Sequence, residues 1–304
     1  MGGDVMVDGT TDGTAGGRTG ATAGGSSPGT PDEIEAAARA AFEQGVQDRT
    51  AGWVNGAREA FRRAARTGHP DIGPMALANL AVLEAQDGRA AAAREAFERA
   101  IATGHPDHAP QSLFNYAVFE QRSGDPAHAR ELYRRALDSG HPEHARKALL
   151  NLGGLAADEG AADEACELWL RAMEPPFRGD TAHRAHRRLV ELAPDRLPEA
   201  REVYLRAMAD GDELTAGQAR TLLHDLDPGF LLPGEPVRLG SRSFDPAEIE
   251  SAEWATGRRP AYSSGHLDVY TRDGALHTVF VDLGDPYDRR GYEALRRLLG
   301  PAGL

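Results

Sequence analysis

Three asparagines recur at a fixed interval and carry the side chains best suited to chemistry with a polypeptide. They are spaced 36 residues apart and are Asn79, Asn115 and Asn151. An amide side chain can donate to a carbonyl and accept from an N–H, so a row of amides can bind a peptide main chain without demanding a particular sequence. The same amides could instead bond neighbouring helices and keep repeated units in register. The two roles are compatible.

Histidine pairs offer a second kind of chemistry. Three of them have the His-x-x-His spacing of zinc ligands, and they are His105 with His108, His141 with His144, and His183 with His186. No carboxylate or thiol stands at a useful position for a third ligand. His69, His105 and His141 belong to a repeated turn, and repetition explains them without a metal. We therefore predict no metal site and no cofactor.

The sequence does not indicate a catalytic centre. It lacks the Gly-x-Ser-x-Gly, His-Glu-x-x-His, Walker and dinucleotide fingerprints. One group of side chains near the C-terminus could form a catalytic cluster, namely His266, Asp268, His277, Asp282 and Asp285. Most of these are more simply explained as the solvated face and the ends of two strands. We predict that the protein is not an enzyme.

A repeat of 36 residues defines the elements that would position these side chains. Gly-His-Pro recurs at 68–70, 104–106 and 140–142, and each period also holds a glycine, a small residue, an aromatic and an alanine. The last three are spaced i, i+4, i+7, which is one face of a helix. Glycine ends each helix, and proline cannot continue it. Since neither helix of a pair can bury its apolar stripe alone, the pairs must stack as an α-solenoid.

The chain resembles the tetratricopeptide repeat family in these positions. The matching slots, copy by copy, are Leu77, Leu80, Ala81, Ala93, Phe97 and Ala100; Leu113, Tyr116, Ala117, Ala129, Tyr133 and Ala136; and Leu149, Leu152, Gly153, Ala165, Trp169 and Ala172. An earlier copy keeps Ala57, Phe61 and Ala64 but has Ala41, Gln44 and Gly45 in the looser first helix. The resemblance covers roughly Glu33 to Ala209. It implies a mainly α protein, a right-handed α-solenoid of about four to five repeats.

The resemblance also implies a binding groove. In this family the first helix of each repeat faces the concave side, and an asparagine beside the core leucine binds a peptide backbone. The positions expected to line the groove with the three asparagines are Met75, Ala78, Val82, Phe114, Val118, Arg122, Lys147 and Leu150. They predict a partly apolar trough with a few basic side chains.

Composition excludes several other partners and places. The formal net charge is −13 with no basic run, which argues against nucleic acid. No apolar stretch approaches the roughly 18 residues that cross a bilayer. Because the N-terminus lacks an apolar signal core, we expect a cytoplasmic protein. The single cysteine, Cys166, allows no disulfide within the chain and is expected to be a buried, inert thiol.

We predict three segments along the chain. Residues 1–31 form a Gly-rich disordered tail, 32–226 the solenoid with a capping helix, and 232–304 a small C-terminal α+β domain with an antiparallel sheet and one helix. Its expected strands are 237–244, 249–254, 267–271 and 276–283, and its expected helix is 288–299. Asp273-Gly274 predicts a tight hairpin turn in which both residues have positive φ.

Two functional hypotheses follow from these observations. The first is a non-enzymatic protein–protein interaction scaffold that holds an extended peptide or a partner helix in the concave groove. The alternative is that the C-terminal domain carries a ligand-binding or catalytic activity, which the repeats deliver to a partner. Self-association is a further possibility. The groove limits the class of ligand and does not identify the partner.

Overall fold

The computed structural model describes residues 30–255 and 264–300. The helices of the first part are α1 (Pro31–Thr50), α2 (Val54–Arg66), α3 (Ile72–Gln86), α4 (Ala90–Ala102), α5 (His108–Ser123), α6 (Pro126–Asp138), α7 (His144–Asp158), α8 (Ala162–Ala172), α9 (Thr181–Leu192), α10 (Leu197–Asp210) and α11 (Glu213–Leu226). After them come β1 (Val237–Leu239), β2 (Arg242–Phe244), β3 (Ile249–Trp254), β4 (Ser264–Thr271), β5 (Leu276–Asp282) and α12 (Pro286–Leu299). Contacts group the described residues into two compact units, the first ending at residue 160 and the second beginning at residue 161.

The start of the chain differs slightly from the prediction. Most of the predicted Gly-rich tail, residues 1–29, lies outside the described residues. Pro31 is already the first residue of α1, and Thr30 caps that helix. The Thr30 hydroxyl accepts from the Glu33 amide, and the Glu33 carboxylate accepts from the Thr30 amide, so two otherwise unpaired N–H groups are satisfied.

The first unit is a stack of helix pairs. Helix α1 packs with α2, α3 with α4, and α5 with α6, and α7 follows against α6. The first helices of successive pairs also contact one another, α1 with α3, α3 with α5 and α5 with α7. Each pair therefore buries its apolar stripe against the next. The predicted α-solenoid of stacked helix pairs is confirmed.

The recurring aromatic of each second helix is the centre of the core. Phe61, Phe97 and Tyr133 are at most 1% exposed. The helix before each of them must present a small residue, which is why alanine or glycine recurs there. At Gly45 an added β-carbon would lie 2.6 Å from the Phe61 ring. Gly45 is thus a packing requirement, although it weakens the sequence pattern of α1.

The repeated Gly-His-Pro turn is a helix cap built from a histidine. In each copy the histidine Nδ1 accepts from the backbone amides two and three residues ahead, at the start of the next helix. The neutral ring then carries its proton on Nε2. That atom faces a carboxylate of the preceding turn, at 3.2 Å from His105 to Asp71 and 3.6 Å from His141 to Asp107. These three histidines are structural, and the repetition of the turn accounts for them.

Buried carboxylates join one repeat to the next. Glu84 and Glu120 occupy the same register and are each 1% exposed. Arg58 donates to both oxygens of Glu84 at 3.0 Å. Arg94 does the same to Glu120, at 2.7 and 3.0 Å. In both cases an arginine of one second helix binds a carboxylate of the following first helix, which fixes the spacing between neighbouring repeats.

The second unit continues the helical pattern in a degenerate form. Helix α8 packs with α9, and α10 packs with α11. Ala200, Tyr204 and Ala207 repeat the signature of the second helix closely and are buried. The Tyr204 hydroxyl lies 3.0 Å from Nδ1 of the buried His186. The capping helix predicted at the end of the solenoid corresponds to α11.

The C-terminal strands confirm an antiparallel arrangement, with one difference in topology. Strands β3, β4 and β5 form one antiparallel sheet, while β1 and β2 form a separate two-stranded sheet. The single strand predicted for 237–244 is wrong, because a turn at Gly240 with φ +55° splits it into a hairpin. The inner faces of both sheets pack with α12 around Leu239, Leu267 and Leu295, each fully buried.

The predicted conformation of the β4–β5 turn is also wrong. Gly274 has φ +84°, but no residue other than glycine has positive φ in the described chain. The Gly274 amide donates to the Thr271 carbonyl at 2.8 Å, so Arg272 and Asp273 form the centre of the turn and glycine follows it. The Asp273 carboxylate accepts from the Thr271 hydroxyl and the Ala275 amide instead. The aspartate therefore acts through its side chain.

Helix α12 is held against the strands by a buried carboxylate. Asp288 accepts from the Gly240 amide at 2.6 Å and from the Asp282 amide at 2.8 Å. Gly291 allows the helix to approach β1 closely, since an added β-carbon would lie 1.7 Å from the Arg238 carbonyl oxygen. Among the described helices of the molecule, none is long and apolar enough to cross a membrane.

The buried ion pair between Arg58 and Glu84 leads to a prediction about stability. Glu84→Ala should lower the free energy of unfolding by about 3 kcal/mol, because the buried Arg58 guanidinium loses its main counter-charge. Urea unfolding followed by circular dichroism measures the change. Glu131→Ala, an exposed position on α6, is the matched control and should change it by less than about 0.5 kcal/mol. Equal effects of the two substitutions would contradict the assigned role of Glu84.

Candidate peptide-binding groove

A groove of about 390 Å³ opens in the first unit between α3, α4 and α5. Its walls are mainly apolar, and its lining consists of Val82, Ala85, Gln86, Gly88, Ala90, Phe97, Asn115, Val118, Phe119, Arg122 and Ser123. Val82 and Phe97 are buried and form its floor, whereas Val118 and Phe119 are only half-buried. Apolar side chains that remain partly exposed in a concave surface are suited to burying the side chain of a ligand.

Asn115 supplies the polar group in this groove. The residue is half-buried, and its side-chain amide makes no hydrogen bond within the described part of the chain. Both the donor and the acceptor of this amide therefore remain for a ligand. Arg122 lies on the same face of α5, seven residues further on, and is exposed at the rim.

Asn79 occupies the same register but serves the fold. It is 2% exposed. Its Oδ1 accepts from Nη1 of Arg49 at 3.1 Å, and its Nδ2 donates to the Met75 carbonyl at 2.9 Å. The amide therefore joins α1 to α3, and it would have to leave both partners to contact a ligand.

Asn151 binds a buried tyrosine of the preceding helix. Its Nδ2 donates to the Tyr133 hydroxyl at 2.9 Å, and that hydroxyl donates to Oε1 of Gln121 at 2.9 Å. Burial raises the pKa of Tyr133 well above its usual value, although the Asn151 bond opposes the shift. The three asparagines thus share a register and differ in their partners.

The other predicted groove residues divide in the same way. Val82, Val118 and Arg122 line the groove with Asn115. The other five predicted positions are not in its lining, and they are Met75, Ala78, Phe114, Lys147 and Leu150. Met75 packs against the core of α1 to α3, and Leu150 is 2% exposed.

Phe114 and Lys147 have neighbours of their own. The Phe114 ring lies 5.8 Å from Tyr133 and 6.2 Å from His144. Lys147 pairs with Glu143 at 2.6 Å, and this hydrogen bond lowers the Glu143 pKa. Both residues are half-buried.

Phe97 and Phe119 line the groove and were not among the residues predicted for it. Their rings are 6.2 Å apart, and the Arg94 guanidinium lies 5.6 Å from the Phe119 ring centre. Helical spacing would have identified Phe119, because positions 115, 118, 119 and 122 fall on one face of α5. Arg94 therefore touches both the buried Glu120 and one wall of the groove.

Several histidines and carboxylates have structural roles that compete with metal binding. Oxygen and nitrogen atoms of Glu120, Asp125 and His128 lie within 4.8 Å of one another. Glu120 is bound by Arg94, and Asp125 caps α6 by accepting from the His128 amide at 3.0 Å. In the His-x-x-His pairs at 105 and 141, the first ring already uses Nδ1 as a helix cap. We assign these groups to the fold.

A family model agrees with the repeated helix pairs of this chain. A family model described as tetratricopeptide repeat matches residues 49–109 and 120–181. The chain is similar to a tetratricopeptide repeat protein from Parabacteroides merdae, with 18% identity over 63% of this chain and 74% of the other, and a TM-score of 0.43. It is also similar to BtubC from P. vanneervenii, with 17% identity, coverage of 71% and 96%, and a TM-score of 0.41. A search of curated proteins gives no match.

The contrast between the two asparagines gives a prediction. Asn79→Ala should lower the free energy of unfolding by about 1–2 kcal/mol, because it removes two hydrogen bonds at a buried site. Asn115→Ala should change it by less than about 0.5 kcal/mol, because no bond within the described chain is lost. Urea unfolding of both variants beside wild type measures the difference. A larger loss at position 115 than at position 79 would contradict the assignment.

His144 makes the stability of the first unit depend on pH. Burial, reinforced by the nearby His141, lowers the His144 pKa from 6.5 to about 4, and its Nδ1 is buried without a hydrogen-bond partner in the described chain. The unfolded state therefore binds the extra proton first, and stability is lost as pH falls from about 6.5 towards 4. His144→Phe should flatten this dependence in urea unfolding measured across that range. An unchanged slope would show that His144 does not contribute.

Proposed function

The repeated helix pairs of this chain are tetratricopeptide repeats, and from that premise we propose a non-enzymatic scaffold that holds an extended segment of a partner protein. Tetratricopeptide repeats serve protein–protein interaction in general. The finer proposal concerns the place and the chemistry of binding. We assign the partner segment to the groove formed by Val82, Phe97, Asn115, Val118 and Phe119.

The observation that carries this proposal is the unengaged amide of Asn115 between apolar walls. Its donor and acceptor match the C=O and N–H of one extended residue of the ligand. Because these are main-chain groups, the hydrogen bonds do not select a particular side chain at that residue. Each such hydrogen bond contributes about 0.5–1.5 kcal/mol. The amide therefore fixes the position of the main chain more than it sets the affinity.

The apolar walls supply most of the affinity and the preference for a side chain. Val118 and Phe119 are half-buried, so a ligand side chain placed between them removes apolar surface of both partners from water. Burying one leucine-sized side chain contributes about 1.5–3 kcal/mol. We therefore propose a partner segment with an apolar anchor residue, presented either as an extended peptide or along a helix.

The alternative hypothesis has a specific observation in its favour. A second concave pocket, of about 600 Å³, lies in the C-terminal part beside Arg242 and His277. Arg242 donates to Nδ1 of His277 at 2.8 Å, and the Thr271 hydroxyl lowers the pKa of Asp273 in the same pocket. Two acidic residues of the cluster predicted from the sequence are not in this lining and have local roles, since Asp285 caps α12 and Asp268 accepts from the Thr278 hydroxyl. We keep ligand binding in this part as the second candidate function.

The scaffold proposal is tested with peptides selected from a random library displayed on phage. Dissociation constants of selected peptides are measured by fluorescence anisotropy for wild type and variants of the full chain. Val118→Asp should abolish measurable binding, because it places a charge in the apolar groove. Asn115→Ala should weaken binding about tenfold, by the loss of up to two hydrogen bonds.

Glu131→Ala is the control for these variants and should bind as wild type does. Light scattering on the same samples reports any self-association of the chain. Peptides that bind Val118→Asp as tightly as wild type would place the binding surface elsewhere and contradict the groove. If binding were instead lost on substitution of Arg242, the C-terminal candidate would replace it.

A further inference from the structure

Three arginines converge on a small recess in the second unit. The recess has a volume of about 220 Å³ and lies between α11, the segment before β1 and the first turns of α12. Arg220 comes from α11, Arg238 from β1 and Arg290 from α12. Glu235 is the acidic residue in this lining.

The Glu235 carboxylate is already committed within the protein. One oxygen lies 2.5 Å from Nη2 of Arg290, and the other accepts from the Leu232 amide at 3.0 Å. Burial tends to raise the Glu235 pKa, but Arg290 and the Leu232 amide outweigh it, and the pKa is lowered. His224 lies 3.6 Å from the same carboxylate. Burial, followed by the charge of Arg290, lowers the His224 pKa, so this ring is neutral near pH 7.

Arg220 and Arg238 remain without a counter-charge. Both are exposed, and neither pairs with a carboxylate in the part of the chain that the structure describes. Three guanidinium groups and one carboxylate give the recess a net charge of +2, in a chain whose formal net charge is −13. The local field therefore favours an anion, against the charge of the molecule as a whole.

Close packing fixes the backbone positions of two of these arginines relative to each other. Gly291 lets the backbone of α12 approach β1 so closely that an added β-carbon would lie 1.7 Å from the Arg238 carbonyl oxygen. Arg290 and Arg238 therefore project from backbones in direct contact. Since the elements that carry them are already packed together, little ordering of the backbone is needed when an anion binds.

We propose that this recess binds the phosphoryl group of a phosphomonoester. The planar guanidinium matches a phosphate oxygen pair in a bidentate manner. A phosphomonoester carries about −1.5 to −2 charges near neutral pH, which balances the +2 of the recess better than a carboxylate does. Tyr287, 71% exposed, and Pro236 stand in the lining and offer apolar contact to the organic group that carries the phosphate.

Isothermal titration calorimetry of the full chain, at neutral pH in a low-salt buffer without phosphate, tests this site. Wild type should bind phenyl phosphate with a dissociation constant of about 1 mM or lower. Arg220→Gln and Arg238→Gln should each weaken binding about tenfold, because each removes a charged hydrogen-bonding group. Tyr287→Ala should weaken phenyl phosphate more than inorganic phosphate.

Arg188→Gln is the matched control, because it removes one exposed arginine from α9, outside the recess. It should change the dissociation constant less than about twofold. A short alanine peptide with one phosphoserine identifies the source of the group. Binding as tight as phenyl phosphate indicates a phosphorylated protein side chain, and weaker binding indicates a small phosphomonoester.

Three results would overturn the proposal. The first is the absence of saturable binding of phenyl phosphate by wild type up to about 10 mM. The second is an equal loss of affinity in Arg188→Gln and Arg238→Gln, which would show a general effect of charge. The third is binding of benzoate as tight as that of phenyl phosphate, since a single negative charge would then suffice.

Discussion

The contact on which the candidate site depends most is the pair between Arg94 and the buried Glu120. It crosses from one repeat to the next and is bidentate, at 2.7 and 3.0 Å. The same guanidinium lies 5.6 Å from the Phe119 ring, which forms a wall of the groove. One side chain therefore sets the spacing of two repeats and supports the apolar surface between them. The geometry of the site follows from the way the stack is held together.

Repetition fixes where a side chain is placed, and its neighbours decide what it does. Asn79, Asn115 and Asn151 share one register. At position 79 an arginine of α1 takes the amide, and at position 151 a tyrosine takes it. Only Asn115 of these three has a side-chain amide without a partner in the described structure. In a solenoid of this kind, the same residue can stabilise the fold in some repeats and bind a ligand in one other repeat.

The sequence predicts the parts of this structure that are set by local patterns. The helix pairs, their glycine turns and the buried aromatics follow from spacing alone. The arginine–glutamate pairs that join neighbouring repeats were missed because the two residues of each pair stand 26 residues apart in the sequence. The glutamate also fails to recur in the next repeat, where Ala156 takes its place. The 237–244 hairpin was missed because a single glycine is a weak turn signal, and eight residues are an ordinary length for one strand. The hydrogen bonds of Asn79 and Asn151 are made with Arg49 and Tyr133, respectively. These partners are distant in sequence and come close only in the folded chain.

The most direct test of the central claim follows the side-chain amide signals of the three asparagines by nuclear magnetic resonance while a selected peptide is added. The account predicts that the Asn115 amide shifts with the same saturation curve as the backbone of Val118, because the ligand contacts both. The amides of Asn79 and Asn151 should stay in place, since each keeps its partner in the fold. Shifts at Asn79 or Asn151 with none at Asn115 would contradict the groove as the binding site.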